Sequence, residues 1–305
     1  MATKKKLLLF SLVFIPLLLL AFKLLSPRPV MSPSHFSSPS SNPKRITVLK
    51  AVGDVMLGRM VNVKMLENKD FRYPFLKTAE LLSSADITFG NLESPIINEC
   101  KTTQTGMVFC GRKESVEGLS FAGFDVVSIA NNHILNHGQE GRGQTIEFLN
   151  QKNILPSANE LTIQQTNNLN FGFLSFDLTV NNNPEPIIKK VSESSSRVDI
   201  LIVSLHWGAE YIKEPFPWQK ELAHSLIDQG AKVVLGHHPH VTQPTEEYSN
   251  GLIFYSLGNF VFDQMWSEET RQGQIAEIVF EEKEIKSYKL IPVYIKDYCQ
   301  PGLAD

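Results

Sequence analysis

The stretch Ala231-Lys232-Val233-Val234-Leu235-Gly236-His237-His238-Pro239-His240 joins an apolar run to a cluster of histidines. Residues 232–235 predict a buried strand, and three of the eight histidines in the chain follow where that strand ends. In an extended chain His238 and His240 would point to the same side, because side chains alternate along a strand. The cluster therefore indicates a metal site, with His237 facing away or supporting one of the ligands.

Strand-like runs alternate with helical stretches from Arg45 onward. The predicted strands cover 46–52, 86–89, 125–130, 171–176, 198–205, 232–235, 252–256, 275–280 and 288–295. The predicted helices cover 75–82, 114–122, 143–151 and 218–229. Such alternation is typical of a layered α/β domain with much parallel pairing, and the last two strands read as a hairpin.

Polar residues follow five of the predicted strands. In open α/β sheets ligands bind beyond the carboxyl ends of the strands, so these positions are candidate site residues. The residues are Asp54, Asn91, Glu93, Asn132, His133, His206, His238 and His240. A single polar residue after a strand is commonly a turn residue, but polar residues at five strand ends along one edge point to a shared ligand. Carboxylate, amide and imidazole groups together suit manganese, iron or zinc, whereas magnesium and calcium prefer oxygen ligands.

Six motifs in the globular part carry a family resemblance. They are GDVMLGR (53–59), GNLESPI (90–96), VVSIANNH (126–133), SLHWGAEY (204–211), VLGHHPHV (234–241) and IFYSLGNFVFD (253–263). The series resembles the CapA family of capsule synthesis or poly-γ-glutamate biosynthesis proteins over about 46–303. The resemblance implies the calcineurin-like metallophosphoesterase fold, a two-sheet mixed α/β sandwich flanked by helices, with metals at the strand ends.

The resemblance also implies roles for individual residues. The implied metal ligands are Asp54, Asn91 or Glu93 at a bridging position, Asn132, His206, His238 and His240. His133 matches the histidine that protonates a leaving group. Arg59 is a second candidate catalytic residue because its guanidinium can bind a phosphate or carboxylate, and the alternative is a surface salt bridge. Trp207, Tyr211 and Trp266 are candidates for a cleft wall or for core packing, and Glu210 for orienting a ligand.

Three positions depart from the family pattern. Met56 stands where the first motif usually has a histidine, and Asn91 or Glu93 replaces the bridging aspartate. Asn136 stands near a usual aspartate. Whether the chain is an enzyme therefore stays open. One hypothesis is a metal-dependent hydrolase in capsule or poly-γ-glutamate biosynthesis or export. The other is a non-catalytic, metal-bound component that binds an anionic polymer.

The N-terminus predicts a membrane anchor over 1–25. Three lysines, at positions 4–6, precede an uncharged apolar stretch over 7–22. Residues 7–25 reach the roughly 20 residues that a bilayer requires, provided that the Lys23 amine extends to the surface. Positive charges before the stretch favour a cytoplasmic N-terminus, so a single-pass protein with its catalytic domain outside the cytoplasm is expected. The alternative is a cleaved signal peptide.

Composition divides the rest of the chain. Residues 26–44 are rich in serine and proline and predict a disordered linker, and 45–305 form the CapA-like domain.

The net charge of −3 and the lack of a long basic stripe beyond the N-terminus exclude a nucleic-acid partner. The expected partners are the cell membrane, an anionic polymer and other membrane proteins of capsule synthesis, because one anchor cannot form a pore.

The three cysteines of the chain bear on whether the protein lies in an oxidising compartment. Cys100 and Cys110 flank a short segment between predicted elements. In an oxidising compartment they would form a local disulfide, and the alternative is two free thiols. With that pair formed, Cys299 would be left unpaired.

Overall fold

The computed structural model of this protein describes residues 44–304. The predicted anchor over 1–25 and the predicted linker up to residue 43 lie outside the described residues. Within 44–304, no helix has the length and apolar character needed to cross a membrane.

The strands of residues 44–304 form two large sheets and one small one. The sixteen strands are β1 (Ile46–Val55), β2 (Ile87–Leu92), β3 (Ile96–Ile97), β4 (Gly111–Arg112), β5 (Val126–Ser128), β6 (Leu155–Ser157), β7 (Thr162–Thr166), β8 (Leu169–Asp177), β9 (Ile200–His206), β10 (Val233–His237), β11 (Thr245–Tyr248), β12 (Gly251–Phe254), β13 (Asn259–Val261), β14 (Gln272–Glu281), β15 (Glu284–Lys296) and β16 (Gln300–Leu303).

Both large sheets are mixed. The first has the order β16-β15-β14-β1-β2-β5-β6, with β13 pairing against β1, and the second has the order β11-β12-β10-β9-β8-β7. β1 runs parallel to β2 and antiparallel to β14. In the second sheet β8, β9 and β10 are parallel neighbours. All nine predicted strands are present, and the predicted hairpin is the antiparallel pair β14–β15.

Six α-helices and three short 3-10 helices connect the strands in the described part. The α-helices are α1 (Arg59–Asn68), α2 (Ala79–Ser83), α3 (Val116–Phe121), α4 (Gly138–Gln151), α5 (Glu185–Ser195) and α6 (Pro217–Asp228), and the 3-10 helices are Tyr73–Phe75, Lys113–Ser115 and Glu269–Arg271. The prediction missed α1 and α5 and began α4 five residues late. In α1, Val61 and Met65 are buried while Leu66 is exposed, so its apolar residues do not mark one face.

The hydrophobic core lies in three layers. The inner layer packs the two large sheets face to face, and Phe89 of β2 stacks on Phe173 of β8 with ring centroids 5.6 Å apart. A second layer packs the first sheet against α1 to α4. A third packs the second sheet against α5 and α6. The molecule is therefore the mixed two-sheet sandwich flanked by helices that the resemblance implied.

The fold brings the carboxyl ends of strands from both sheets to one edge. In the first sheet Asp54 of β1 is the register partner of Asn91 of β2. In the second sheet His206 of β9 is the register partner of Asp177 and of His237. The backbone N–H of His238, just beyond β10, donates to Asp54 Oδ2 at 3.2 Å, so the two edges meet.

Candidate metal centre

Asp54 is the carboxylate at the centre of this edge. It is 0% exposed, and Asn91 Nδ2 donates to its Oδ1 at 2.8 Å. His237 Nδ1 lies 3.2 Å from Oδ1, and His240 Nδ1 lies 3.3 Å from Oδ2. Burial acts to raise the pKa of Asp54, but the contacts with His237 and His240 outweigh it and hold the pKa well below its ordinary value. Asp54 is therefore an anion that holds loops of both sheets together.

The histidine loop after β10 is not extended, so that part of the prediction is wrong. His238 has φ 92° and His240 has φ 57°, both in the left-handed region that non-glycine residues rarely adopt. The Tyr211 backbone N–H donates to Pro239 O at 2.8 Å and holds the turn. The two rings still lie in one cluster, with centroids 5.9 Å apart. The turn, and not the alternation of side chains along a strand, therefore brings the two rings together.

Glu93, rather than Asn91, offers a carboxylate to this cluster. Its side chain is 0% exposed, and its Oε1 lies 3.5 Å from His240 Nε2. Asn91 directs its amide nitrogen at Asp54, and its Oδ1 accepts a hydrogen bond from Asn131 Nδ2 at 3.1 Å. An amide nitrogen is a donor and not a metal ligand. Of the two candidates for the bridging position, the structure therefore favours Glu93, with Asn91 orienting Asp54.

Two groups of ligand atoms overlap at His240. Asp54, Glu93 and His240 form one, and Glu210, His238 and His240 form the other, with the ligand atoms of each group within 4.8 Å of one another. Within the described residues, Glu93 Oε1 and His238 Nδ1 are buried without a hydrogen-bond partner. Buried polar atoms normally have partners, so these atoms point to a ligand.

The donor set fits a divalent transition metal. Each group combines carboxylate and imidazole, the mixture that manganese, iron and zinc accept. Burial raises the pKa of Glu93 well above its ordinary value, and a cation is the partner that stabilises the ionised carboxylate there. For His240, burial lowers the pKa, but the charges of Glu93 and Asp54 outweigh it and raise the pKa to about 9.

His206 and Asn132 border the cluster as a pair. His206 Nε2 lies 3.1 Å from Asn132 Oδ1, and the His206 ring centroid lies 4.7 Å from that of His238. Burial is the main cause that lowers the pKa of His206 well below its ordinary value, so the ring is neutral, and its Nδ1 lies 3.3 Å from Asn91 Nδ2. The structure thus brings both residues to the predicted place, hydrogen-bonded to each other.

The His133 ring is fixed so that its Nε2 faces Glu93. Its Nδ1 lies 3.1 Å from Asn136 Oδ1, and that oxygen also accepts the Phe109 N–H at 2.6 Å. Because the amide oxygen only accepts, the proton of the neutral ring sits on Nδ1. Nε2 then lies 3.9 Å from Glu93 Oε1. The ring stacks on Phe109 with centroids 3.8 Å apart, and burial lowers the pKa of His133.

Arg59 is engaged by a buried carboxylate. Its Nε donates to Asp263 Oδ2 at 3.1 Å, its Nη2 pairs with Asp263 Oδ1, and its Nη1 donates to Gly106 O at 3.1 Å. The guanidinium also lies 4.5 Å from the Phe109 ring centroid. The structure favours the ion-pair alternative for Arg59, although the pair is buried and not on the surface. Asp263 was missed because it lies 204 residues from Arg59 in sequence.

The other residues named from the sequence have separate places. Met56 is fully buried and its sulfur accepts the Gly58 N–H at 3.0 Å, so it contributes to packing. Trp207 is a core residue, 0% exposed. Tyr211 and Trp266 are exposed and form an edge-to-face pair 5.9 Å apart, with the Tyr211 ring centroid 6.3 Å from that of His240. These two aromatics line the approach to the cluster.

Cys100 and Cys110 are joined by a disulfide, with their Cα atoms 5.7 Å apart. The bridged loop contributes Gly106 O to Arg59 and contains Phe109, which stacks on His133. Cys299 is the free cysteine of the described residues and is buried. The disulfide loop is thus part of the wall of the site.

Comparisons with known proteins agree with the motif series. The family model for "Bacterial capsule synthesis protein PGA_cap" matches residues 48–264. The PGA biosynthesis protein CapA of Bacillus subtilis is 31% identical over 271 residues, which cover 81% of this chain and 71% of that protein. The capsule biosynthesis protein CapA of Bacillus anthracis is 29% identical over 277 residues, which cover 81% and 67%.

Solved structures share the fold at low sequence identity. A novel phosphatase from Mycoplasma pneumoniae has a TM-score of 0.54 at 13% identity and covers 83% of this chain and 95% of its own. A putative 5'-nucleotidase from Staphylococcus aureus has a TM-score of 0.53 at 13% identity, with 83% and 55% covered. The chain therefore shares its two-sheet architecture with these two proteins. Together, the family model and the two Bacillus relatives show that the chain belongs to the CapA family of bacterial capsule synthesis proteins.

Proposed function

We propose that this protein is a metal-dependent hydrolase-type component of capsule or poly-γ-glutamate biosynthesis, anchored in the cell membrane with its domain outside the cytoplasm. The observation that carries the proposal is the pair of carboxylate–imidazole groups sharing His240, with Glu93 Oε1 and His238 Nδ1 buried and without a hydrogen-bond partner in the described residues. Membership of a family involved in capsule synthesis supports the biological setting.

The chain's own residues divide the work of a hydrolysis. A divalent metal held by these residues would supply a water of lowered pKa and would polarise a substrate oxygen. Asp54, Glu93 and Glu210 would supply the carboxylate ligands, and His238 and His240 the imidazole ligands, with His240 giving up its proton when the metal binds. Asn136 holds the His133 Nδ1 proton, so Nε2 is the nitrogen that carries a proton to a leaving group when the ring is charged. A phosphate ester or a polymer amide is the substrate class that this chemistry serves.

A non-catalytic role is the second candidate. Met56 removes an imidazole from the first motif, and Asn91 places an amide nitrogen beside Asp54 where a carboxylate would help to bridge two metals. Both features reduce the number of anionic or imidazole ligands. A protein with one firmly held metal would bind an anionic polymer without cleaving it.

The disulfide supports the proposed location. Structural disulfides persist in oxidising compartments and are rare in the cytoplasm. The Cys100–Cys110 bond therefore agrees with export directed by the N-terminal 25 residues. A reporter fused after Asp305 tests the topology: activity of a reporter that requires export is expected, and activity of a strictly cytoplasmic reporter would contradict the orientation.

Metal content and phosphodiesterase activity of the purified full-length chain test the function. Mass spectrometry of bound metals and hydrolysis of bis(p-nitrophenyl) phosphate are measured for the wild type, Asp54→Ala and His238→Ala. His224→Ala is the matched control, because His224 lies outside the cluster with Nε2 2.9 Å from Glu246 Oε1. We expect Asp54→Ala and His238→Ala to lose both metal and activity, and the wild type and His224→Ala to keep both. Metal without turnover would favour the polymer-binding role, and absence of metal from the wild type would overturn the metal centre.

A further inference from the structure

The loop between β3 and β4 forms part of the wall of the candidate metal centre. The pairing of β3 with β4 holds its two ends, and the disulfide between Cys100 and Cys110 closes it. Residues 101–108 are exposed, whereas Phe109 is 2% exposed. Phe109 therefore joins the exposed part of the loop to the interior of the domain.

Phe109 acts on the His133 ring both directly and through Asn136. The phenyl ring stacks on the imidazole with centroids 3.8 Å apart and 20° between the two planes. The Phe109 N–H donates to Asn136 Oδ1 at 2.6 Å, and the same oxygen lies 3.1 Å from His133 Nδ1. The stack fixes the plane of the imidazole, and the shared acceptor fixes its rotation within that plane. The direction in which His133 Nε2 points therefore depends on Phe109.

Arg59 holds the same loop at two points. Its Nη1 donates to Gly106 O at 3.1 Å, and its guanidinium carbon lies 4.5 Å from the Phe109 ring centroid, where a cation is attracted to the ring. The guanidinium is itself fixed by the buried Asp263 carboxylate, to which its Nε donates at 3.1 Å. The buried ion pair thus helps to keep Phe109 against His133.

The disulfide limits the positions that this loop can adopt. Residues 98–110 contain no helix or strand. A covalent bond between two cysteines 10 residues apart removes much of the conformational freedom that such a loop would otherwise have. Cys110 directly follows Phe109, so the bond lies one residue from the ring contact. Without the bond, the stack on His133 would have to order a longer free segment.

We propose that Phe109 is a positioning residue that holds His133 Nε2 toward the leaving group, and that the Cys100–Cys110 disulfide keeps Phe109 in that place. The proposal rests on the hydrolase function proposed above, in which His133 carries a proton to the leaving group. The alternative is that Phe109 serves packing alone, since it also belongs to the core layer between the first sheet and its helices. A packing residue affects all substrates alike, whereas a positioning residue affects those whose leaving group needs a proton.

Substitutions in the full-length chain separate the ring contact from the disulfide. Phe109→Leu keeps an apolar side chain and removes the aromatic ring. A double variant, Cys100→Ala with Cys110→Ala, removes the disulfide and keeps the ring. Val108→Ala is the matched control on the same loop, since Val108 is 62% exposed. Bound metal is measured by mass spectrometry for each variant, so that loss of metal is recognised separately from a displaced ring.

The position of the His133 ring is measured without any turnover. The full-length chain is labelled with ring-13C histidine, and His133→Gln identifies the His133 signal in a proton–carbon correlation spectrum. Protons over the face of an aromatic ring resonate upfield, so we expect an upfield signal in the wild type and in Val108→Ala. Its loss is expected in Phe109→Leu and in the double cysteine variant.

Two phosphodiesters measure the consequence for proton transfer. Bis(p-nitrophenyl) phosphate releases p-nitrophenolate, a weak base that leaves without a proton, whereas diphenyl phosphate releases phenolate, a stronger base that leaves more readily with one. A misplacement of about 1 Å can cost about 100-fold in rate. We therefore expect Phe109→Leu to lower kcat at least about tenfold for diphenyl phosphate and less than about threefold for bis(p-nitrophenyl) phosphate.

The outcomes distinguish the positioning role from the hydrolase. An unchanged His133 signal in Phe109→Leu, or equal losses of kcat for both diesters, would overturn the positioning role. A signal that is lost in Phe109→Leu but kept in the double cysteine variant would overturn the part assigned to the disulfide, as would a double variant that does not fold. A wild type that hydrolyses neither diester, with a His133 signal that still depends on Phe109, would remove the hydrolase and leave the ring contact standing.

Discussion

Glu210 lies four residues after His206 in the sequence, yet its ligand group includes His238 and His240 from the end of another strand. It is also the residue before Tyr211, which has a φ of 64° and whose N–H holds the histidine turn. The departure at Met56 removed an imidazole from the family pattern, and Glu210 offers a carboxylate to the same cluster. The sequence named Glu210 as a candidate for orienting a ligand, and the structure makes it a candidate ligand because it brings His238 and His240 close to it.

Glu210→Gln should lower metal affinity at least about tenfold, because the amide keeps the size of the side chain and removes its negative charge. The measurement is a competition between the full-length protein and a chromophoric chelator. Glu214→Gln, an exposed carboxylate on the same loop, is the control and should bind as the wild type does. Equal affinity for wild type and Glu210→Gln would show that the second ligand group does not hold the metal.

At the scale of elements, the strand ends approach each other closely where the motifs place glycine. A Cβ added at Gly236 would lie 1.9 Å from Tyr255 O, which also accepts the Trp207 Nε1–H at 3.0 Å. A Cβ at Gly53 would lie 1.9 Å from Gly258 O. Gly53 and Gly236, which precede Asp54 and His237, therefore allow the close backbone contacts that align these side chains.

Gly236→Ala should reduce the free energy of unfolding by at least about 2 kcal/mol, because the backbone carbonyl of Tyr255 would have to move. Urea unfolding followed by circular dichroism measures the change. Gly143→Ala on α4 is the matched control, since nothing lies within 4 Å of the added Cβ, and it should stabilise by about 0.5–1 kcal/mol. The same small effect at both positions would contradict the close approach at Gly236.

At the scale of the whole molecule, the candidate metal centre joins the two large sheets. Asp54 comes from the first sheet, and His206 and His237 from the second. The contacts at this edge also join segments that are far apart in sequence. The His238 N–H donates to Asp54, which lies 184 residues earlier in the chain. A ligand that binds only this assembled edge stabilises the fold as a whole.

Removal of the metal should therefore lower the melting temperature of the full-length chain. A metal present at about 100 times its Kd contributes about 2.7 kcal/mol, which corresponds to a shift of about 5–10 °C for a domain of this size. Differential scanning calorimetry before and after chelation, and after manganese or zinc is returned, measures it. Asp54→Ala should melt at one temperature under all three conditions. A wild type that is equally insensitive would contradict a metal that bridges the sheets.

The sequence by itself determined the strand-rich α/β architecture, the family and the edge of the sheets that carries the ligands. These follow from local patterns: apolar runs that form strands, and motifs at the strand ends such as those of Asp54 and His238. The short strands and α1 carry weak periodicity and were missed. The helix α5 was missed although Ile187 and Val191 lie one turn apart on its buried face. Only the tertiary structure favoured Glu93 over Asn91, paired Arg59 with Asp263, and grouped Glu210 with His238 and His240, because those contacts form between loops far apart in sequence.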